Sequence, residues 1–580
     1  MKGSRRGPSD PRARRRVGLG AIAGLLAAAT ALGVGQLVAG LTGANGSPVV
    51  AVGQLQIDFT PPWLKNFAIT NFGSDDKLVL VGGILVVLGI FAAVIGVEAT
   101  RRLWHGMAGL LVFAAIGLTA AATRPTASVA SLLPTLAATA AAAIVLRVLI
   151  DRIGAPAPAG ASAAPQAWGD TGEDDADGAA DSGEFAAPDL PPGMGRPGGV
   201  IRPSAGQGRD WLAGAPGPSG PVEPARRGFL AASVATAGAA AVAGLAGRVL
   251  AERSSVTTAR NAIKLPKPVP STVPTLPPGV DLNIPGLASF ITPNNNFYRV
   301  DTAIVLPEVD PTSWQLRIHG MVNREITITF DQLLKRPLIE DYVTLCCVSD
   351  PVGGPYIGNA LWLGASLASL LREAGIKAGA DQLMCTSVDG FTSGTPVQTV
   401  MDGRDAMLAV AMNGTVLPVE HGFPVRMVVP GLYGYVSACK WITDIEVTTF
   451  AGNAAYWVQR GWDQQAPIKT ECRIDVPSGN GPVKPGTTQV AGVAWAQHKG
   501  IAAVEVRVDH GPWQAARLAA VPDIDCWRQF VWDWDATPGS HLIEARATDA
   551  TGYTQTALQE PPEPNGASGY PGVSVSVSSA

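Results

Sequence analysis

The sequence predicts a multi-domain chain: N-terminal transmembrane helices, then an α+β domain, then a C-terminal immunoglobulin-like β-sandwich. Three observations carry this. Four long apolar runs fall within the first 150 residues. Between about residues 286 and 446, short β-rich runs such as Trp314–Ile318 and Ile326–Phe330 alternate with short helical ones such as Ser366–Glu373. Beyond Gln489, strands recur at regular spacing between Gly and Pro turns, the pattern of a sandwich. At 580 residues the chain exceeds one folding unit, and its net charge of -4 gives no sign of a nucleic-acid partner.

The apolar runs are Val17–Leu41, Leu78–Val97, Trp104–Ala122 and Val129–Leu146. Each can cross a bilayer, which takes about 20 residues. Residues 1–152 therefore read as a four-helix transmembrane region. Its orientation follows the Lys/Arg bias. Arg5, Arg6, Arg12, Arg14, Arg15 and Arg16 precede the first span and hold the N-terminus in the cytoplasm. Arg101 and Arg102 follow the second span, and Arg147 and Arg152 follow the fourth, so both return the chain to that side. Few charged or polar residues interrupt the spans, which argues against a channel or transporter. Residues 153–225 are rich in Ala, Pro, Gly and Asp and cannot bury enough apolar surface to fold alone, so they read as a disordered acidic linker. Arg226-Arg-Gly-Phe-Leu230 then opens a fifth apolar run over 226–250. This pattern resembles a twin-arginine export signal placed internally. It puts everything after residue 250 outside the cytoplasm, on a multi-pass protein of the cell membrane. Residues 251–285 form a proline-rich, semi-extended spacer.

The α+β domain spans 286–470. All six cysteines (346, 347, 385, 439, 472 and 526) lie in the second half of the chain, with no CxxC pair, so a zinc site is not expected. Cys346 and Cys347 are adjacent in Tyr342-Val-Thr-Leu-Cys-Cys-Val-Ser-Asp350. Then come Ile357-Gly-Asn-Ala-Leu-Trp-Leu-Gly364, Ala411-Met-Asn-Gly414, His421-Gly-Phe-Pro-Val-Arg426 and Lys440-Trp441. A thiolate is a soft ligand for a transition metal. A His, an Arg and a Lys near glycines can hold an anionic cofactor by charge-assisted hydrogen bonds. Together with Phe290-Ile-Thr-Pro-Asn-Asn-Asn-Phe-Tyr-Arg299 and Trp314-Gln-Leu-Arg-Ile-His-Gly320, these ordered segments resemble the molybdopterin domain of the sulfite oxidase family. The resemblance covers roughly the second half of the chain.

The resemblance implies a sulfite-oxidase-type fold carrying molybdopterin, the molybdenum cofactor. The family's Thr-Leu-x-Cys pattern makes Cys347 the metal ligand and places Cys346 at the variable position. It implies that His421 and Arg426 contact the pterin, that Lys440 contacts its phosphate region with Ser437 sharing that role, and that Asn295, Phe297, Tyr298 and Arg299 form the wall, with Tyr298 and Arg299 also catalytic. One departure concerns the substrate. Sulfite-oxidising members follow the ligand cysteine with Ala-Gly-Asn-Arg, whereas Cys347 is followed by Val-Ser-Asp-Pro351. Asp350 would repel a dianion. The resemblance implies oxygen-atom transfer, the topology places it outside the cytoplasm, and this departure points to an S- or N-oxide. The alternatives are a sulfite dehydrogenase passing electrons to a cytochrome, and a non-catalytic surface protein that retains the fold. No CxxCH is present and only His105 lies in the membrane half, so no haem is expected within this chain. A separate electron-transfer partner, a cytochrome or a quinone-linked membrane protein, is implied. Residues 475–580, the immunoglobulin-like unit, resemble the family's dimerisation domain, which implies a homodimer.

Overall fold

The computed structural model describes residues 11–42, 48–60, 76–123, 129–154, 224–253, 256–269, 275–303, 305–479 and 481–578. The acidic linker therefore lies outside the described residues, apart from its two ends. Five helices are long and apolar enough to cross a membrane: Pro11–Thr42, Asp76–Arg101, Leu103–Ala122, Val129–Gly154 and Pro224–Arg253. They pack by close backbone approach at small residues, as helices do where lipid gives no hydrophobic drive. A methyl group added at Gly24 would run into the Ala92 carbonyl, and one at Gly33 into the Ala240 carbonyl. The last helix is thus seated on the first. Phe229 joins Ala23, Ala27, Leu146 and Leu149 in one buried cluster, and Arg152 donates to the Gly228 carbonyl at 2.9 Å. A further helix, Pro48–Phe59, was not expected from the sequence. Its 12 residues span about 18 Å, too short for a crossing of about 30 Å.

The proline-rich stretch is tied down at both ends. Arg260 donates to the carbonyls of Val416 and Leu417, and the Val269 amide donates to Leu338. At its far end Leu282 donates to the Gln529 side chain at 2.7 Å. Both described ends of the stretch are thus held against folded strands.

The α+β domain is built on two sheets. One has the order Ile326–Thr329, Gln315–Gly320, Ile442–Thr448, Gln382–Ser387, Thr392–Pro396. Only its Gln315–Gly320/Ile442–Thr448 pair is parallel. The other sheet runs Leu338–Cys346, Ile357–Ser366, Met407–Met412, Thr415–Val416, with Arg426–Val428 paired to Met407–Met412. Ser366 caps helix Leu367–Ala374 by accepting from the Ser369 amide, and Gly375 ends it at φ 72°. That helix buries Leu367, Leu370 and Leu371 in the core shared by both sheets. The C-terminal unit is two facing four-stranded sheets enclosing Val490, Val504, Phe530, Ile543 and Ala545.

Candidate functional site

A cavity of about 140 Å³ opens where several of these strands end. Cys347 follows the last residue of Leu338–Cys346, Ser387 ends Gln382–Ser387, Arg426 begins Arg426–Val428, and Lys440 and Trp441 precede Ile442–Thr448. Successive strand residues face opposite sides, so the adjacent thiols part company. Cys346 is 0% exposed and packs with Tyr433, Trp462 and Trp527, whereas Cys347 is half-buried and lines the cavity. The turn carrying Cys347 is pinned: its amide donates to Tyr356 at 2.9 Å, and its carbonyl accepts from Asp350 at 3.1 Å. Burial raises the Cys347 thiol above its ordinary value, while the Ser349 hydroxyl at 3.0 Å works the other way.

Arg426 is 5% exposed and has no carboxylate partner among the described residues. Its two terminal nitrogens donate to the carbonyls of His421 at 3.1 Å and Ala438 at 3.5 Å, its guanidinium lies 4.9 Å from the Trp362 ring centre, and its Nε has no acceptor. Burial lowers its pKa to about 10. A buried cation left without a counter-charge is costly unless an anion arrives to meet it. His421 is buried too, and its Nε2 lies 2.8 Å from the Asn294 carbonyl. A carbonyl only accepts, so Nε2 carries the proton and Nδ1 keeps its lone pair. Burial pushes His421 down to about 4, aided by Arg426 and Lys440, so the ring is neutral at neutral pH. Lys440 donates to Asp301 at 2.9 Å and lies 4.6 Å from the Trp441 ring centre. Trp441 holds a left-handed φ of 50°, a conformation that costs on the order of 1–3 kcal/mol. It is fixed there by its indole donating to Val419 at 3.0 Å and by Val388 donating to its carbonyl at 2.9 Å. That turn aims Lys440 and Trp441 at the same cavity.

Of the residues singled out in the sequence, Phe297, Tyr298, Cys347, His421, Arg426 and Lys440 line this one cavity. Phe297 stacks on Tyr298 at 5.2 Å and meets His421 edge-on at 5.6 Å. Burial raises the Tyr298 hydroxyl well above its ordinary value, and the neighbouring cysteines add to this, so it stays protonated. Three expectations are corrected. Asn295 is exposed and off the wall; its neighbour Asn294 is the residue tied to His421. Arg299 is exposed and reaches Asp301 at 3.5 Å instead of the cavity. Ser437 is sealed, its hydroxyl donating to the carbonyls of Leu432 at 2.9 Å and Tyr433 at 3.2 Å.

Asp350 also differs from its expected role. Its carboxylate turns inward, accepts from the Tyr356 amide at 2.8 Å, and shapes the cysteine turn without lining the cavity. Burial raises Asp350 to about 7, and Asp341 and Glu471 to about 8. Ordinary carboxyls titrate near about 4. Between that value and 7–8 the folded chain holds protons that the unfolded chain has released, so stability falls as pH rises. His421 acts in the opposite sense below about 6.5, because the unfolded chain then binds the extra proton. Three groups outweigh one. A melting series should therefore show Tm dropping from pH 5 to 8; a flat or rising series overturns this.

Cavity residues that the sequence did not single out include Asp301, Ser387, Asp389, Tyr435, Trp457 and Trp462. Of these, Ser387 carries a buried hydroxyl with no partner.

Residues 303–457 match the family described as "Oxidoreductase molybdopterin binding domain". The chain is 30% identical over 292 residues to sulfite oxidase of Gallus gallus, an alignment covering 42% of this chain and 62% of that protein. The chain thus spans less than two thirds of that relative. It is 30% identical over 176 residues to the uncharacterized oxidoreductase YuiH of Bacillus subtilis (strain 168), covering 30% of this chain and 85% of that protein. A solved structure, the sulfane dehydrogenase SoxCD from Paracoccus pantotrophus, is similar at 23% identity and a TM-score of 0.44, covering 55% of this chain and 97% of that one.

Proposed function

The chain belongs to the sulfite oxidase family of molybdopterin-dependent oxidoreductases, and on that premise we propose that it is a membrane-anchored, molybdenum-dependent enzyme that takes an oxygen atom from an S-oxide or N-oxide outside the cytoplasm. The observation that carries this reading is the cavity shared by Cys347 and a buried Arg426 whose Nε lacks an acceptor.

The residues present fit the cofactor. Cys347 would supply the one protein thiolate, since a bound metal cation deprotonates a coordinating thiol. Arg426 and Lys440 would hold the anionic pterin by charge-assisted hydrogen bonds, and neutral His421 offers Nδ1 as an acceptor. Once bound, the cofactor supplies a two-electron centre able to take up or release an oxygen atom. For an S-oxide the balance is R₂SO + 2 H⁺ + 2 e⁻ → R₂S + H₂O. The electrons come from a separate partner, a cytochrome or a quinone-linked membrane protein.

An oxide is favoured over sulfite on charge. A dianion calls for cations of its own. Among the described residues the cavity's two are Arg426 and Lys440, and both would be engaged by the anionic pterin. Arg299 lies outside the cavity. The Arg-rich N-terminus and the apolar helices support a catalytic domain on the outer face of the cell membrane. The two-sheet C-terminal unit is read as an immunoglobulin-like dimerisation domain.

The test uses the full chain purified from membranes after intact maturation. We expect close to one molybdenum per chain, sulfoxide turnover with a reduced dye, and weak sulfite turnover with an artificial acceptor. Dominant sulfite turnover would overturn the substrate, and a metal-free chain would overturn the enzyme. Protease added to cells with a permeable envelope and an intact inner membrane should cut the catalytic domain; complete protection would overturn the location.

A further inference from the structure

The cavity wall that continues from the Cys347 turn is aromatic and uncharged. Val348 and Trp462 share a buried cluster with Cys346, against which Tyr435 and Trp457 pack. The rings form a connected series: Tyr435 to Trp462 at 6.0 Å, Trp462 to Trp457 at 6.1 Å and 75°, Trp457 to Tyr456 at 5.2 Å and 85°. Such edge-on contacts favour one fixed arrangement of the rings.

The local chain explains how two tryptophans five residues apart meet. Val458–Arg460 form a single 3₁₀ turn, Gly461 reverses the chain at φ 98°, and the Trp462 amide donates to the Trp457 carbonyl at 3.2 Å. Only glycine takes that φ without strain. The turn is braced from outside. Arg460 lies 3.6 Å from the Tyr456 ring centre, the Tyr435 hydroxyl donates to Asp463 at 2.5 Å, and the Asp463 amide donates to Pro564 of the C-terminal unit at 3.1 Å. Tyr435 therefore presents its ring, not its hydroxyl, to the cavity. Neither indole N–H of Trp457 and Trp462 has a hydrogen-bond partner among the described residues. Trp457 is half-buried and lines the cavity, unlike the core tryptophans Trp362 and Trp527, whose indoles are sealed and bonded to carbonyls.

The geometry points to Tyr435, Trp457 and Trp462 as a specificity cage that selects oxides bearing an apolar or aromatic substituent, with the indole N–H groups as donors to a polar ligand atom. This rests on the oxide-reductase reading above. Ring faces and edges bind a flat apolar group and offer nothing to a small hydrated dianion.

The experiment compares dimethyl sulfoxide with methyl phenyl sulfoxide on the molybdenum-loaded full chain. The wild type should prefer the phenyl substrate in kcat/KM. Trp457→Ala should lower that preference at least about tenfold, mainly through KM, and Trp457→Phe should restore most of it. Trp457→Leu, which also removes the ring, covers the case in which the alanine variant fails to fold and should lower the preference in the same direction. A preference unchanged by Trp457→Ala, or by Trp457→Leu if that variant alone folds, overturns the cage. Equilibrium dialysis with methyl phenyl sulfide separates the two readings. Wild-type binding that weakens about tenfold in Trp457→Ala, without sulfoxide turnover, keeps the cage and overturns the reaction. No binding of sulfide or sulfoxide by the wild type overturns the cage whatever the turnover.

Discussion

Cys347→Ser should abolish sulfoxide turnover while leaving the domain folded. The thiol contributes little to packing, because it is half-buried on a cavity wall and its turn is held by backbone bonds at Tyr356 and Asp350. Serine replaces the sulfur with a smaller oxygen and can still meet Ser349. Its hydroxyl is a hard, weakly acidic donor and a poor substitute for a thiolate on a soft metal. Loss of an outer-shell partner typically costs about 10–100-fold, and loss of the ligand itself should exceed that. The readout is turnover per chain beside the molybdenum content and the melting temperature. Cys346→Ser is the control. Cys346 is fully buried among Tyr433, Trp462 and Trp527, so its change should lower stability and spare the rate of the loaded enzyme. The reverse pattern, with Cys347→Ser active and Cys346→Ser dead, would overturn the assignment.

Arg426→Met should move two quantities in opposite directions. Among the described residues Arg426 is a buried cation with no carboxylate to meet it, and its Nε has no acceptor. Without cofactor it is a burden to the fold. A methionine of similar length keeps the contact with Trp362 and removes the buried charge, so the cofactor-free domain should melt no lower than the wild type. With cofactor the cation is needed. A charge-assisted hydrogen bond contributes about 1.5–3 kcal/mol, so retention of molybdopterin should weaken by on the order of 10–100-fold. The checks are melting of chains made without molybdate and cofactor content after dialysis. A cofactor-free variant that melts well below the wild type, with normal cofactor retention, would make Arg426 a structural residue.

Much of this was legible in the sequence, and the reasons differ by element. The five long helices announce themselves because lipid demands an uninterrupted apolar length, whereas Pro48–Phe59 is short enough to pass for a loop. The sandwich strands show alternation because one face meets the core and the other meets water. In the site, Cys347, His421 and Arg426 sit in dense local motifs, and six of the nine residues named beforehand meet in one cavity. Asn295 and Arg299 failed because they lie in irregular chain, whereas Ser437 closes the short helix Gly434–Ser437 and is buried there. Neighbouring residues in irregular chain point in different directions, and sequence order does not say which one faces inward. Asp350 failed likewise: its charge was readable, its inward turn was not. Trp457 and Trp462 lie more than a hundred residues from Cys347, and only the tertiary fold brings them to it. The spacing Trp-x4-Trp with glycine before the second ring was the one local signal available.

The parting of the two adjacent thiols has a practical side. Of six free cysteines, five are buried and one faces the cavity. The chain thus carries its own occupancy gauge. A maleimide under native conditions should label one site on a cofactor-free chain and none where the metal holds that sulfur. The mass spectrum of a preparation would then read directly as its fraction of competent enzyme, and specific activities could be stated per working centre, not per milligram.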